Sequence, residues 1–257
     1  MPTPSLFLQQ LCQQGQEMLS RTDYLAAEKI LMQAEQIGWD GQDWDTLSRL
    51  YMPLQECRRQ KRQIALSGTM LVNITHDKVS SEEIAERCKQ GEVLIAGDGN
   101  ISAGISLRRL AKEKELYLEA FLAAGYQIGE RRAVVIVALE NAVLPAAGEI
   151  QTLDQLLHRV PAHSLVVAEN EIMVSKEGSM GVSPMSVELN MGETPMLRRD
   201  SADAVSLWER LHLPYLAAAD AEVDPVRRMA GYRLAIQVDN GCELAHQKLA
   251  DVAAKMR

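Results

Sequence analysis

The chain has 257 residues, of which 47% are hydrophobic and 24% are charged. These proportions are typical of a soluble globular protein and exclude disorder over most of the length. The net charge of -8 argues against general affinity for nucleic acid, because binding to phosphates draws on an excess of lysine and arginine on one surface.

The N-terminus and the cysteines indicate where the protein is found. The opening MPTPSLFLQQLCQQGQ lacks the positive region and long apolar stretch of a signal peptide, and no run approaches the roughly 20 apolar residues that span a bilayer. The four cysteines are widely separated, without the spacing of zinc ligands and without a neighbouring histidine that would suggest an activated thiolate. The sequence therefore predicts a cytoplasmic protein with reduced thiols, no metal site and no membrane partner.

Residues 1–66 have the apolar spacing of helices. Asp23 is the predicted N-cap of the second helix, and a third apolar stripe begins at Trp44. In this third stripe the hexamer RLYMPL (49–54) contains a proline, and RLHLPY (210–215) repeats it near the other end of the chain. Each copy predicts a kink or a helix boundary, because proline removes a backbone hydrogen bond and bends a helix.

The first two predicted helices have a recognisable pattern of large and small residues. The stretch LCQQGQEMLSRTDYLAAEKILMQAEQIGW resembles one tetratricopeptide repeat (TPR) over about 35 residues. Thr22 stands where the family has a turn glycine, and Trp39 where the repeat closes with proline. The resemblance implies two antiparallel helices in close contact and a protein or peptide partner on a concave helical face. The residues that match the family pattern are Leu11, Gly15, Tyr24, Ala27, Leu31 and Ala34.

The periodicity changes over residues 67–176, where short apolar runs alternate with helical stretches. The runs MLVNI, EVLIAG, RAVVIVAL and HSLVVA predict strands that are buried on both faces, as in a mostly parallel sheet covered by helices on both sides. A first helix is predicted from Ser80 or Ser81 to Lys89, and the segment TLDQLLHRV predicts another. A long helix is predicted from Ala103 to Ala124, with Gly125 as its stop signal.

Residues 177–200 are rich in methionine, glycine and proline, and this composition predicts a linker or a long loop. Helices resume over residues 201–257, where Asp224 followed by Pro225 is a strong start signal. The segment YRLAIQVDNGCELAHQKLA again resembles the junction of two TPR hairpins, less closely than the first match. One hairpin is too small to bury a face, so the two helical ends are predicted to pack together.

The predicted fold class is therefore α/β with all-helical ends, in which TPR-like hairpins flank an inserted, mostly parallel sheet domain. The sequence leaves the strand order and the oligomeric state open, including homo-oligomerisation. It also leaves open whether the protein is an enzyme and whether it uses a cofactor.

The strongest candidate for a ligand site is VLIAGDGNISAG, a glycine-rich turn between a strand and a helix. Such turns lie at the carboxyl edge of a sheet, where ligands bind at helix N-termini. The spacing is not that of a dinucleotide or phosphate loop, and Asp98 favours a hydroxyl or ribose partner over a phosphate. The alternative is a tight turn in which Asn100 or Ser102 caps the helix. The candidate ligand-binding residues are Gly97, Asp98, Gly99, Asn100, Ser102 and, after the first strand, Asp77.

Two functions remain, and the sequence favours the first. One is a protein-interaction or scaffolding module, with TPR-like helices and an accessory α/β domain. The other is an α/β enzyme or a binder of a nucleotide or sugar that uses the turn 97–104. The basic run 58–62 is interpreted as a solvated helix end, with capture of an acidic partner as the alternative.

Overall fold

A computed structural model describes residues 4–68, 70–73, 80–173, 189–191, 194–199 and 201–256. The helices are α1 (Pro4–Ser20), α2 (Tyr24–Asp40), α3 (Trp44–Leu66), α4 (Ser81–Arg87), α5 (Ser102–Glu113), α6 (Leu153–Arg159), α7 (Glu169–Met173), α8 (Ser201–Ala221), α9 (Pro225–Val238) and α10 (Glu243–Lys255), with a 3-10 turn at Ala147–Glu149. The strands are β1 (Met70–Asn73), β2 (Gln90–Asp98), β3 (Tyr117–Ile128), β4 (Arg131–Val137), β5 (Leu165–Ala168), β6 (Leu189–Met191) and β7 (Thr194–Arg199).

The chain divides into two compact units. The helical unit consists of the residues up to Gln63 together with those from His212 onward, and the sheet unit is Ile64–Leu211. The predicted fold class, α/β with helical ends, is confirmed. The boundaries of the units fall inside α3 and α8, whereas the sequence placed them at the ends of these helices.

One apolar core joins both ends of the chain within the helical unit. It contains Leu31 of α2 and Leu54 of α3, and it continues through Met229 of α9 and Leu249 of α10. The sequence predicted that these ends pack together, and in the structure they bury their apolar faces in this shared core. Because the partners are distant in sequence, neither end could bury its apolar stripe by local contacts alone.

The two turns between α1, α2 and α3 have the same backbone geometry. Thr22 and Gln42 both adopt the left-handed conformation, with φ of 61° and 52°. Asp23 and Asp43 follow them, and each accepts a hydrogen bond from the backbone N–H three residues on, at 3.3 and 3.0 Å. The predicted N-cap at Asp23 is thus confirmed, and Thr22 takes the turn position without the conformational freedom of glycine.

Neither proline of the repeated hexamers ends a helix. Pro53 lies inside α3 and Pro214 lies inside α8, and both helices continue beyond the proline. Of the two predicted alternatives, the helix boundary is therefore wrong, and the kink stays a prediction.

The sheet contains both parallel and antiparallel strand pairs. Over the described residues its strand order is β5-β4-β3-β2-β1-β7-β6. Pairing is parallel from β1 to β2 and from β2 to β3, and it is antiparallel at the other junctions. The sequence predicted a mostly parallel sheet, and the parallel pairing is confined to this three-stranded centre.

Both faces of the central strands are covered, as continuous apolar strands require. On one face, Val93 of β2 and Leu118 of β3 pack with Leu107 of α5. On the other face, Phe121 of β3 stacks on Trp208 of α8, with ring centroids 4.1 Å apart.

The long helix predicted from Ala103 to Ala124 is wrong. Helix α5 ends at Glu113, and strand β3 begins at Tyr117. The chain turns at Glu115, which has φ of 52°, and the Leu116 N–H donates to Ala111 O at 2.9 Å. A non-glycine residue in this conformation gives no stop signal, and an apolar run buried on both faces also satisfies the helical period.

The linker predicted over residues 177–200 is also partly wrong. Within it, residues 189–191 and 194–199 form β6 and β7, and β7 pairs antiparallel with β1 through Val72 and Leu197. The other residues of this segment lie outside the described residues. Its turn-forming composition hid both strands, and β7 pairs with a strand more than a hundred positions earlier in the chain.

Candidate functional site

The glycine-rich turn lies at the carboxyl end of β2, where the sequence placed it. Gly97 and Asp98 end the strand, Gly99 has φ of 62°, and α5 begins at Ser102. The Gly99 N–H donates to Gly125 O of β3 at 3.0 Å. The turn therefore continues the pairing of β2 with β3 before the chain enters the helix.

The side chain of Asn100 organises the turn. Its Oδ1 accepts from the Ser102 N–H at 3.2 Å and from the Ser102 hydroxyl at 2.5 Å. Its Nδ2 donates to Asp98 O at 3.0 Å. These contacts close a tight turn, as in the alternative that the sequence left open. Neither Asn100 nor Ser102 is the N-cap of α5, because that position is Ile101, which makes no side-chain cap hydrogen bond.

Close backbone contacts account for two glycines of this segment. A Cβ at Gly99 would lie 2.6 Å from Ala147 N, and a Cβ at Gly104 would lie 2.4 Å from Phe121 O. Both distances are too short for any side chain larger than hydrogen. The backbone at Ala147 occupies the space beside Gly99, so glycine is needed here whether or not a ligand binds.

The remaining candidate, Asp77, lies outside the described residues. The buried Tyr126 belongs to the same edge of the sheet, and its hydroxyl donates to Pro145 O at 2.9 Å. Burial raises the pKa of Tyr126 to about 12. The charge of Arg159 lowers this pKa, and the charge of Asp98 raises it. This phenol is therefore neutral and serves as a hydrogen-bond donor.

A second polar cluster lies inside the helical unit, around Glu28 of α2. Arg58 Nε donates to Glu28 Oε1 at 3.0 Å, and Lys61 Nζ donates to Oε2 at 2.9 Å. Arg58 is only 5% exposed and Glu28 8%. Burial opposes ionisation of Glu28, but the two cations outweigh it and lower the pKa of the carboxyl to about 2.

His246 of α10 joins this cluster in one defined tautomer. Its Nε2 lies 2.9 Å from Arg58 Nη1, and its Nδ1 lies 2.8 Å from Cys242 O. A guanidinium can only donate and a carbonyl can only accept, so Nδ1 carries the proton and Nε2 is the acceptor. Burial and the charge of Arg58 lower the pKa of His246 to about 3, which keeps the ring neutral.

Asp239 is the centre of a neighbouring group of charges. Its Oδ1 accepts from Arg62 Nη2 at 2.7 Å and from the Gly241 N–H at 2.9 Å, and its Oδ2 lies 2.7 Å from His212 Nδ1. Burial lowers the pKa of His212, but the hydrogen bond to Asp239 and the nearby Cys242 outweigh it and raise the value to about 10. The ring is thus an imidazolium paired with the Asp239 carboxylate.

These contacts correct one interpretation of the sequence. The basic run 58–62 is not a solvated helix end, because Arg58 and Arg62 form buried ion pairs in the core. His246 contacts the backbone carbonyl of Cys242. It follows Cys242 by one helical turn, which was a usable signal for this contact.

The two hexamers give their residues matching environments. Leu50 and Leu211 are buried, as are Tyr51 and His212 one position later. The next residue of each hexamer is apolar and exposed, with Met52 at 51% and Leu213 at 53%. Corresponding positions of the two hexamers thus have similar exposure to solvent. Each hexamer places one large apolar side chain on the surface, Met52 on α3 and Leu213 on α8.

Comparisons of the chain with models of protein families, with curated proteins and with solved structures found no match. Over the part of the chain that the structure describes, no helix has both the length and the apolar composition needed to cross a membrane. Within the same residues, no group of three or more His, Cys, Asp or Glu side chains is arranged to hold a metal ion.

Proposed function

We propose that this protein is a protein-interaction or scaffolding module whose TPR-like helices bind a protein or peptide partner. The observation that carries the proposal is the packing of α1 on α2 through the positions that match the repeat pattern. A Cβ at Gly15 would lie 2.5 Å from Leu31 Cδ2, so the two helices approach closely at this glycine. Leu11, Ala27 and Ala34 are buried in the same core.

The next helix supports the same proposal. A Cβ at Gly38 of α2 would lie 3.1 Å from Leu47 of α3, a second close approach through a glycine. The left-handed turns at Thr22 and Gln42 also join successive helices in the same way. Recurring turns and recurring close contacts favour a helical array, and such arrays bind partners along their exposed faces.

The surface of the helical unit supplies large apolar contact residues. Met52 and Leu213 are about half exposed. Exposed side chains of this size favour docking of a partner, because they gain free energy when a partner buries them. The acidic net charge of -8 favours a protein or peptide over a nucleic acid, and we place the protein in the cytoplasm.

Affinity capture with the full-length protein tests this proposal. Wild type, Met52→Lys and Leu213→Lys are used as baits, and bound proteins are quantified by mass spectrometry. Val143→Lys is the matched control, because Val143 is 84% exposed and belongs to the sheet unit. We expect a partner whose recovery falls with a helical-unit variant and persists with the control. The dissociation constant of the isolated partner should rise by about tenfold, equivalent to about 1.4 kcal/mol.

Self-association is included in the same test. If the partner is a second copy of this chain, sedimentation should show an oligomer that Met52→Lys or Leu213→Lys dissociates. The proposal fails if no bound protein and no oligomer depends on exposed apolar residues of the helical unit.

A further inference from the structure

Strand β5 (Leu165–Ala168) forms one edge of the sheet. Among the strands that the structure describes, it comes last in the order, with β4 as its neighbour. Its sequence LVVA contains neither a charged residue nor a proline, which are two of the usual protections of an edge strand against pairing with another chain. An apolar edge of this kind favours the addition of a further strand.

The direction of the backbone groups of β5 follows from the alternation along each strand. The Gly99 N–H donates to Gly125 O, so the odd-numbered residues of β3 direct their N–H and C=O groups toward β2, and the even-numbered residues direct theirs toward β4. In the registers of β3 with β4 and of β4 with β5, the even-numbered residues of β4 then bond to the odd-numbered residues of β5. The N–H and C=O groups of Val166 and Ala168 therefore point away from β4.

Helix α6 lies over the sheet and has an exposed apolar side. Its Leu156 is fully buried, and Val166 packs against the same apolar cluster. Because successive residues of a helix are about 100° apart, Leu153 and Leu157 lie on one side of this buried leucine and Arg159 lies on the other. Leu153 is 49% exposed and Leu157 is 52% exposed. Half of the apolar surface of this helix side is thus open to solvent.

The ion pair of Arg159 indicates which way the two sides of α6 face. Arg159 pairs with Glu149, and the turn Ala147–Glu149 lies against Gly99 at the end of β2. The Arg159 side of the helix is therefore directed toward the centre of the sheet. The leucine side is directed the opposite way, toward β5. The exposed leucines of α6 and the outward backbone groups of β5 thus belong to one surface, which we call the edge surface.

We propose that the edge surface pairs with the edge surface of a second copy of this chain in a symmetric dimer. A two-fold axis perpendicular to the sheet at Val166 joins the two β5 strands antiparallel, and Val166 exchanges two backbone hydrogen bonds with Val166 of the second copy. This axis keeps the two faces of the sheet on their own sides. Both α6 helices therefore lie on the same side of the continuous sheet, and Leu153 and Leu157 of the two copies face each other across the axis.

Two features favour a second copy over an unrelated extended peptide. A second copy supplies a strand for the backbone groups and an apolar helix side for the leucines in one symmetric contact, whereas a peptide supplies a strand without the second helix. The ends of β5 are also complementary. In this register Glu169 lies opposite His163 of the second copy, so a carboxylate meets an imidazole at each end of the pairing. The inference does not rest on the proposed function, because the edge surface belongs to the sheet unit.

Sedimentation velocity of the full-length protein tests the dimer. Between about 1 and 100 μM the wild type should shift from monomer toward dimer. Leu157→Lys places a charge in the leucine contact, and we expect the dissociation constant of the dimer to rise about tenfold or more. His158→Lys is the matched control, because the side chain of His158 is 75% exposed and lies on the side of α6 opposite the buried stripe. Its dissociation constant should equal that of the wild type.

Two results of this experiment would overturn the proposal. One is a wild type that stays monomeric over the whole range. The other is a dimer that a folded Leu157→Lys leaves as stable as the control does, with circular dichroism as the check on folding.

Met52→Lys separates this inference from the proposed function. Met52 is 51% exposed and belongs to the helical unit, so the variant makes the same kind of change at matched exposure and should leave this dimer intact. If Met52→Lys dissociates the oligomer and Leu157→Lys does not, the inference is wrong and the helical unit mediates self-association. If no captured partner depends on the helical unit but Leu157→Lys dissociates a dimer, the proposed function is wrong and the inference is supported.

Hydrogen exchange in the wild-type protein locates the contact on β5. The amides of Leu165 and Val167 bond to β4 within one copy, whereas those of Val166 and Ala168 gain acceptors from the second copy. Exchange in peptides that cover residues 165–168 should therefore slow for the outward amides when the protein concentration is raised above the dissociation constant. Equal exchange at both concentrations would rule out pairing through β5.

Discussion

The core of the helical unit contains ion pairs, whereas a nearly continuous apolar strand crosses the core of the sheet unit. In this strand, β3, nine successive residues from Leu118 to Tyr126 are buried, and Glu119 is the one charged residue among them. The helical unit adds ion pairs to its apolar core, among them Arg58 with Glu28 and Arg62 with Asp239. Burial of apolar area is non-directional, whereas buried charges are tolerated only with a specific partner at a specific distance.

The difference follows from how each unit is assembled from the chain. The sheet unit is one continuous segment, whereas the helical unit is formed by segments from both ends of the chain. Its polar contacts join these segments, with Arg62 and Asp239 177 positions apart and Arg58 and His246 188 apart. We infer that paired charges help to specify which helices meet, a role for which apolar stripes alone are less selective.

Removal of Arg58 should have the largest effect on this comparison. Arg58→Met leaves Glu28 buried with one cation fewer, and we expect a loss of about 3 kcal/mol in the free energy of unfolding. Arg59→Met is the matched control, because Arg59 is the next residue but pairs with Glu56 on the surface of the same helix. Its urea midpoint should not change. If the two variants have the same midpoint, the charged core does not stabilise the helical unit.

A single methyl group should be nearly as harmful in the sheet unit. Gly104→Ala would place a Cβ 2.4 Å from Phe121 O, and because this neighbour is backbone we expect a loss of about 2 kcal/mol. Gly148→Ala is the control, since no atom lies within 4 Å of its added Cβ. In a Trp39→Phe, Trp44→Phe background, Trp208 fluorescence during urea unfolding reports on the sheet unit. Equal midpoints for the two alanine variants would contradict the close contact.

The two histidines of the helical unit should give opposite, smaller dependences on pH. The pKa of folded His212 is raised from 6.5 to about 10, so its contribution is complete below pH 6.5 and is lost as the pH rises toward 10. The pKa of folded His246 is lowered from 6.5 to about 3, so the unfolded chain binds the proton first and stability falls as the pH drops below 6.5.

Urea unfolding measured from pH 5 to 8.5 separates these effects from those of carboxylates and phenols. Each histidine can change the free energy of unfolding by at most about 1.4 kcal/mol per pH unit. His212→Gln should reduce the dependence of the free energy of unfolding on pH above pH 6.5, and His246→Gln should reduce it below pH 6.5. The structure has an imidazolium at His212 and a neutral imidazole at His246. A variant that does not change the pH dependence in its own range would contradict the charge state of that ring.

Several helix starts were predictable because their signals are local. Asp23 accepts from the Ala26 N–H, Ser80 from the Glu83 N–H and Asp224 from the Arg227 N–H. Helix starts were predicted at Asp23 and Asp224, and at Ser80 as one of two alternatives. These contacts span only three residues, so the identity of the residue and its position before an apolar stripe are sufficient to predict them.

The candidate site was predictable only in position. The sequence placed Gly97 to Ser102 at the end of a strand, and the structure has them there. Whether such a turn leaves room for a ligand depends on what lies beside it, here the backbone of Ala147 some fifty positions later. The pairing of His212 with Asp239 was missed because the histidine lies on α8, 27 positions before the aspartate.

The sequence by itself determined the helical ends, the apolar strands and most caps, because period, propensity and capping act within a few residues of the chain. The tertiary structure alone decided the strand character of residues 117–128 and 194–199, the burial of Arg58, and the pairing of His212 with Asp239. These features depend on partners more than a few turns away, where an equal local pattern is compatible with several folds and only packing selects one.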